Sequence, residues 1–173
     1  MASRTELSLT RLVDLAHAGE IANLEFDLPP PGPNAAPHLI LGLRIARPDA
    51  ESVLAFSDSL HRAQLQARVR LLRLKDATLS AVPLMRSSPN LREWLAVPQE
   101  GTIHGVTGAG VDTSSLIDAG LIQAGSFDEV LMFAVAEDVV PGRYQLTIAL
   151  LGENPTLDAG GAELLVAYQK RGK

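Results

Sequence analysis

The clearest alternation of hydrophobic and polar positions lies in residues 141–150, Pro-Gly-Arg-Tyr-Gln-Leu-Thr-Ile-Ala-Leu. After the Pro-Gly turn signal, Tyr144, Leu146, Ile148 and Leu150 fall on one face, and Arg, Gln and Thr fall on the other. A period of two in residues that favour strands predicts a strand with one buried face. Because the neighbouring segments also predict strands, we expect this strand to be central in an antiparallel sheet.

Similar alternation recurs along much of the chain. Residues 129–136 are apolar on both faces, which predicts a strand covered on both sides. In the strand that begins at residue 64, the alternation slips by one position at Leu71-Leu72, which predicts a β-bulge. Residues 5–17 fit a strand or a helix, and we favour the strand. The remaining predicted strands are residues 23–28, 39–45, 78–84 and 163–168.

Two short segments predict helices instead. Apolar residues from Val53 to Leu60 recur every three or four positions, and Asp49 is well placed to cap the first turn. A helix is therefore predicted over residues 49–62, across one end of the molecule. A Ser-Pro pair predicts a second, shorter helix over residues 88–95, because proline is favoured at the first helical position.

These elements predict a mainly β protein with one domain, residues 1–173, of 173 residues in all. About eight strands separated by turn signals, with one or two short helices, favour an antiparallel β-sandwich of immunoglobulin-like type. Residues 100–126 hold six of the 14 glycines and form the longest irregular segment. The residues expected to share one core are Tyr144, Leu146, Ile148, Leu150, Leu131, Phe133, Leu164 and Val166.

Composition removes several classes of function. The chain has no cysteine, which excludes disulfides, thiolate nucleophiles and cysteine-bound metals. A net charge of −5 argues against nucleic-acid binding, which needs many cationic contacts to phosphates. No run approaches 18 apolar residues, so no transmembrane segment is expected.

Charge is unevenly distributed along the chain. The segment Arg62–Arg92 holds seven basic residues and a single acid, whereas Glu93–Gly142 holds eight acids and no Lys or Arg. One interpretation is that the two groups attract each other across strands on solvated faces. The other is that the acids form a surface that binds a basic partner protein.

The candidate motifs for catalysis and cofactor binding all lack the residue spacing that their chemistry requires. The glycines of residues 105–110 follow the order G-x-x-G-x-G, which is not a dinucleotide fingerprint, and no Lys follows for a phosphate loop. The four histidines are not at metal-ligand spacing, and no serine lies in a nucleophile elbow. We expect no cofactor, no metal and no enzymatic activity. A small hydrolase with a dispersed Ser/His/Asp site is the alternative.

Five residues are candidates for contact with a partner protein. Asp112 and Asp118 lie in the irregular segment, and Asp128 and Glu129 begin the strand that follows it. Trp94 is the sole tryptophan of a chain with only 4% aromatic residues. It is either a core residue beneath the second predicted helix or an interface anchor.

Several segments resemble a known family. Residues 140–146 are similar to the Pro-Gly-x-Tyr-x-Leu segment near the C-terminus of many bacterial β-sandwich modules. Together with residues 24–28, 152–155 and 163–166, they resemble a family of small exported bacterial proteins and lipoproteins whose domain has no assigned function. The resemblance implies an immunoglobulin-like sandwich in the periplasm, tethered by an N-terminal lipidated cysteine.

The resemblance also implies a function, because some lipoproteins of this general type are immunity proteins that neutralise secreted toxins. We therefore expect a non-enzymatic protein-binding module, most concretely a periplasmic immunity protein, with a structural sandwich of an envelope assembly as another alternative. The chain departs from the family in having no cysteine, and Met1-Ala2-Ser3 does not begin a signal peptide. Removal of a signal and lipid anchor would produce such a start, and a cytoplasmic location is the alternative.

Overall fold

Two antiparallel β-sheets pack face to face in the computed structural model, and one helix lies against an end of the larger sheet. The structure describes residues 12–88, 93–98, 102–104, 106–107, 127–155, 157 and 159–172. The predicted β-sandwich is confirmed within these residues. The immunoglobulin-like order of strands stays a prediction.

The larger sheet has the strand order β1-β12-β3-β10-β6-β7, and β9 pairs with β10 beside β6. Long apolar strands form its centre, where β3 pairs with β12 on one side and β10 on the other. The strands of this sheet are β1 Leu12–Asp14, β3 Ala35–Arg47, β6 Met85–Ser87, β7 Trp94–Ala96, β9 Val106–Thr107, β10 Phe127–Ala136 and β12 Ala159–Lys170.

The smaller sheet has the order β2-β11-β4-β5, and β8 extends the same edge of β4 that β5 occupies. Its central strand β11 is the alternating segment with which the sequence analysis began, and its predicted face assignment is confirmed. Its partners are β2 and β4, whereas its neighbours along the chain, β10 and β12, belong to the other sheet. The strands are β2 Gly19–Leu28, β4 Gln66–Lys75, β5 Thr78–Ala81, β8 Thr102–His104 and β11 Gly142–Leu150.

The inner faces of the two sheets form one hydrophobic core. All eight residues predicted to share a core belong to it. Leu, Ile and Val provide most of its volume, as expected for a chain with few aromatic residues. Phe26 and Tyr144 add a stacked ring pair on neighbouring strands, with centroids 5.8 Å apart. The alternation of the sequence therefore predicted the composition of the core.

The larger sheet is also buried on its outer face. A second cluster there consists of Ile40, Val130, Met132, Val135, Leu165 and Ala167, each less than 9% exposed. This confirms that the strand predicted over residues 129–136 is covered on both sides. Arg44 is buried on the same face and forms an ion pair of 2.9 Å with Glu163 on the adjacent strand.

A β-bulge is present, but not where the sequence predicted it. The register between β4 and β11 runs without a shift through Leu71 and Leu72, so the bulge predicted there is wrong. The side chain of Leu72 lies on the outer face of the smaller sheet, where it is half-buried. Register shifts occur instead at Val13/Asp14, Ile148/Ala149 and Tyr168/Lys170, and in β10 between Met132 and Ala134 opposite β3. The extra residue, Phe133, lets both Phe133 and Ala134 join the inner core.

The helix α1, Ala50–Ala63, matches the first helical prediction closely. The carboxylate of Asp49 accepts a hydrogen bond of 2.7 Å from the backbone N–H of Ser52, as an N-cap should. Phe56 and Leu60 anchor the helix in the core. The guanidinium carbon of Arg47 lies 4.2 Å from the centroid of the Phe56 ring, which adds a cation–π contact at the junction of β3 and α1.

The prediction of a second helix over residues 88–95 is wrong for its last two residues. Residues 94–96 form strand β7, which pairs antiparallel with β6. Ser88 holds the hairpin together because its N–H donates to the carbonyl of Glu93 and its hydroxyl accepts the N–H of Glu93. Ser88 thus joins the two strands of the hairpin, and residues 89–92 of the predicted helix lie outside the described part of the chain. Among the described residues, α1 is the one helix.

Both tyrosines of the chain are buried, which predicts a loss of stability at alkaline pH. Burial raises the pKa of Tyr168 to about 12 and also raises the pKa of Tyr144. The Tyr168 hydroxyl donates a hydrogen bond to the carbonyl of Pro29, and Tyr144 donates one to Val140. Since an unfolded tyrosine titrates near 10.0, the free energy of unfolding is expected to fall as the pH rises from about 10 to about 12.

The measurement is denaturant unfolding across this pH range, together with the ultraviolet absorbance of tyrosinate. Ionisation is expected to coincide with loss of the far-ultraviolet circular dichroism signal. A Tyr168→Phe variant should show a shallower decline above pH 10, because one raised pKa has been removed. Titration of both tyrosines near pH 10 in a chain that stays folded would contradict the burial described above.

Candidate functional site

The residues predicted to contact a partner lie in separate places. Asp112 and Asp118 fall outside the described residues. Asp128 and Glu129 are at the beginning of β10, where the Glu129 side chain is half-buried. Trp94 lies in β7 at the edge of the larger sheet and is 47% exposed, so it is not the core residue that was one of its two interpretations.

The described acids of the segment Glu93–Gly142 do not form one continuous patch. Glu137 and Asp138 follow the end of β10, whereas Asp128 and Glu129 begin it. At about 3.3 Å per residue, the two groups are roughly 25 Å apart. The described acids therefore belong to at least two surfaces.

Arg143 and two arginines of β4 differ in their partners among the described residues. Arg143 pairs with Glu25 at 2.9 Å across β11 and β2. Arg68 and Arg70, on the outer face of β4, are exposed and have no ion pair anywhere in the described structure. Across the strand they face Ala149 and Thr147, which are neutral. Within the described ranges, no cross-strand ion pair between the basic and acidic segments forms at these two arginines.

A groove opens to solvent beside these arginines, and we call it the β4–β5 groove. It encloses about 210 Å³. Strand β4 forms its floor, and chain segments that connect the two sheets form its walls. Each of these segments contributes an exposed residue to the solvent-facing opening of the groove. The lining residues are Val69, Arg70, Leu71, Ala81, Val82, Pro83, Leu84, Val97 and Pro98.

Prolines explain why the groove exists. Strand β5 ends at Ala81, and the last backbone bond to β4 runs from the N–H of Val82 to the carbonyl of Leu71, 2.9 Å. Pro83 has no N–H with which to extend the ladder, so the chain leaves the sheet there. Leu84 then enters the core as the chain crosses to the larger sheet.

The second wall of the groove is built where the chain returns from β7. Val97 donates its N–H to the carbonyl of Leu84, 2.9 Å, and Pro98 follows. Val82 and Val97 are half-buried against the core. The walls therefore belong to the packed body of the sandwich, which gives the groove a preformed shape.

The lining determines which chemistry the groove supports. Among the described residues that line the groove, Arg70 is the one ionisable side chain, and none is a nucleophile paired with a base. Its volume of about 210 Å³ is smaller than the roughly 300–1,000 Å³ typical of small-molecule sites. The groove suits one apolar side chain with an anionic group beside it.

Titratable clusters elsewhere in the described structure are small. His17 and Asp14 form an exposed pair of 2.8 Å, in which the hydrogen bond raises the pKa of His17 and lowers the pKa of Asp14. His38 accepts the backbone N–H of Asp138. No group of three potential metal ligands occurs within the described ranges. Those ranges also include no helix long and apolar enough to cross a membrane.

Comparison of the chain with protein-family models, with curated proteins and with solved structures found no match.

Sequence reasoning did not find the groove, although two of its signals were present. Pro83 lies within the last residues of the predicted strand 78–84, and the basic segment Arg62–Arg92 is evident from its charges. No sequence pattern predicts that residues 97–98 lie beside residues 81–84. That proximity depends on the pairing of β6 with β7, in a segment for which a helix was predicted.

Proposed function

We propose that this chain is a non-enzymatic protein-binding module, and that the β4–β5 groove is part of its contact surface. The observation that carries the proposal is the size and lining of the groove. An open, preformed, apolar groove of about 210 Å³ fits one side chain of a protein partner. Buried anchor side chains of this kind dominate the binding energy of many protein interfaces.

The specific form of the proposal is a periplasmic immunity protein that neutralises a secreted toxin, as the family resemblance implies. A rigid sandwich that presents a preformed groove suits this role, because little conformational entropy is lost on binding. The acidic segment remains a second proposed contact. It is represented by Asp112, Asp118, Asp128 and Glu129.

The test is a binding titration with a variant that fills the groove. The partner is recovered from the source organism by affinity capture, identified and purified. Ala81→Trp is expected to weaken its binding at least about 30-fold, the effect of losing one anchor of about 2 kcal/mol. Isothermal calorimetry or surface plasmon resonance measures the affinity.

The matched control is Thr78→Trp, which places the same ring on the same edge strand, away from the groove. It should change the affinity by less than about threefold, as expected for a substitution outside the contact. If Ala81→Trp binds as well as the wild type, the groove is not the contact. Loss of binding in an Asp112→Lys/Asp118→Lys variant would then assign the contact to the acidic segment.

A further inference from the structure

The two arginines beside the β4–β5 groove are placed as a pair. Arg68 and Arg70 lie two residues apart on β4, so their side chains leave the same face. Their Cα atoms are about 6.6 Å apart at the usual rise of about 3.3 Å per residue. Both are exposed, and neither has an ion pair in the described structure.

Among the described residues, the cross-strand neighbours of the pair carry no charge, and Thr102 of β8 lies opposite Arg68. Thr147 and Ala149 occupy the cross-strand positions on β11. The described acids of this sheet face lie one strand further away on β2: Glu20 lies opposite Ala149, and Glu25 and Asp27 already contact Arg143. The face is therefore positive on one side of the groove, although the whole chain carries a net charge of −5.

We infer that the β4–β5 groove takes an extended acidic segment of a partner protein. One apolar side chain of that segment enters the groove, and carboxylates beside it pair with Arg70 and Arg68. Alternate residues of an extended peptide are about 6.6 Å apart, the same spacing as that of the two arginines. Arg70 itself lines the groove, so the anchor and the first carboxylate occupy alternate residues of the peptide, which share one face. This inference rests on the proposed function.

The charge and the size of the groove favour an acidic peptide segment over a nucleic acid and over a membrane surface. Two adjacent cations on an acidic protein are too few for the many phosphate contacts that hold a nucleic acid. A membrane surface would need a broader apolar face, whereas the groove admits about one side chain. Arginine also forms paired hydrogen bonds with a carboxylate, which fixes the orientation of a bound segment.

The experiment is selection of a random peptide display library against the purified full chain, followed by titration of the enriched peptides. We expect enrichment of Asp or Glu two residues away from a large apolar residue. A double charge reversal, Arg68→Glu/Arg70→Glu, should weaken these peptides at least about tenfold at low salt. The difference should shrink at high salt, because exposed charges are screened.

The matched control is Lys75→Glu, which reverses one charge on the same strand, outside the groove lining. It should change peptide affinity by less than about threefold. The melting temperatures of both variants should stay close to that of the wild type, since these side chains are exposed. Binding of anionic lipid vesicles that is lost in the double variant would overturn the inference in favour of a membrane surface.

The outcomes separate this inference from the proposed function. If the enriched peptides carry no acids but still lose binding in Ala81→Trp, the acidic partner is wrong and the groove remains a protein contact. If neither the enriched peptides nor the native partner respond to Ala81→Trp, the proposed function of the groove fails as well. Acidic peptides that respond to both variants support both.

Discussion

Replacing Gly42 with alanine is expected to destabilise the protein by about 3 kcal/mol or more, at or above the usual range for overpacking. Gly42 lies in β3 opposite the β-bulge of β10, and a Cβ atom there would be 2.1 Å from the carbonyl oxygen of Leu131. The obstacle is backbone at the centre of the larger sheet, so no side chain can turn away to relieve it. Denaturant unfolding measures the loss.

The control for this prediction is Gly152→Ala. A Cβ at Gly152 meets nothing within 4 Å. We expect a change within about 0.5 kcal/mol, as for other unconstrained surface substitutions. Similar free energies of unfolding for the two alanine variants would show that β3 and β10 do not approach as described.

Replacing Ile148 with alanine should cost on the order of 2–5 kcal/mol. Its side chain is 0% exposed at the centre of β11, between β2 and β4. Truncation removes buried methyl groups and leaves a cavity that the surrounding strands can fill only in part. The measurement is chemical denaturation, with the denaturant dependence checked for two-state behaviour.

Thr147→Ala is the neighbouring control, because residue 147 lies on the opposite, half-buried face of the same strand. It should cost less than about 1 kcal/mol. Equal costs at the two positions would overturn the assignment of the inner face. The pair therefore tests the periodicity on which the fold prediction was based.

Sequence periodicity predicted the strands well where one face of a strand meets the core. In β11, β2 and the inner phase of β3, the alternation corresponds directly to burial, since successive side chains point to opposite faces. The helix α1 was predicted for a similar local reason, because its cap and its apolar spacing are both within a few residues. These elements need little information from the rest of the chain.

Periodicity failed where two local interpretations competed. Leu71-Leu72 suggested a bulge, but a half-buried Leu72 on the outer face satisfies the same pattern without one. The bulge at Phe133 was hidden because both faces of β10 are apolar, so a slip of one residue changes nothing in the pattern. Ser88-Pro89 suggested a helix cap, whereas pairing with β6 makes residues 94–96 a strand.

In the candidate site too, the sequence predicted some features and the tertiary structure decided others. The unusual charge of β4 was evident from the sequence, and the basic strand can be recognised without a structure. Whether those charges are neutralised depends on which strands lie beside them. The structure places neutral Thr147 and Ala149 next to Arg70 and Arg68, and places Glu25 and Asp27 next to Arg143 instead.

The sequence by itself determined that this chain forms antiparallel strands with a Leu-, Val- and Ile-rich core, because burial of one strand face leaves a pattern within a few residues. It also determined one helix and the residues of the central strand. Only the tertiary structure decided that β11 pairs with β2 and β4, that Gly42 faces a bulge, and that residues 97–98 meet residues 81–84 in a groove. Those relations join residues that are distant in the chain, and they follow from the packing of the two sheets rather than from any local preference.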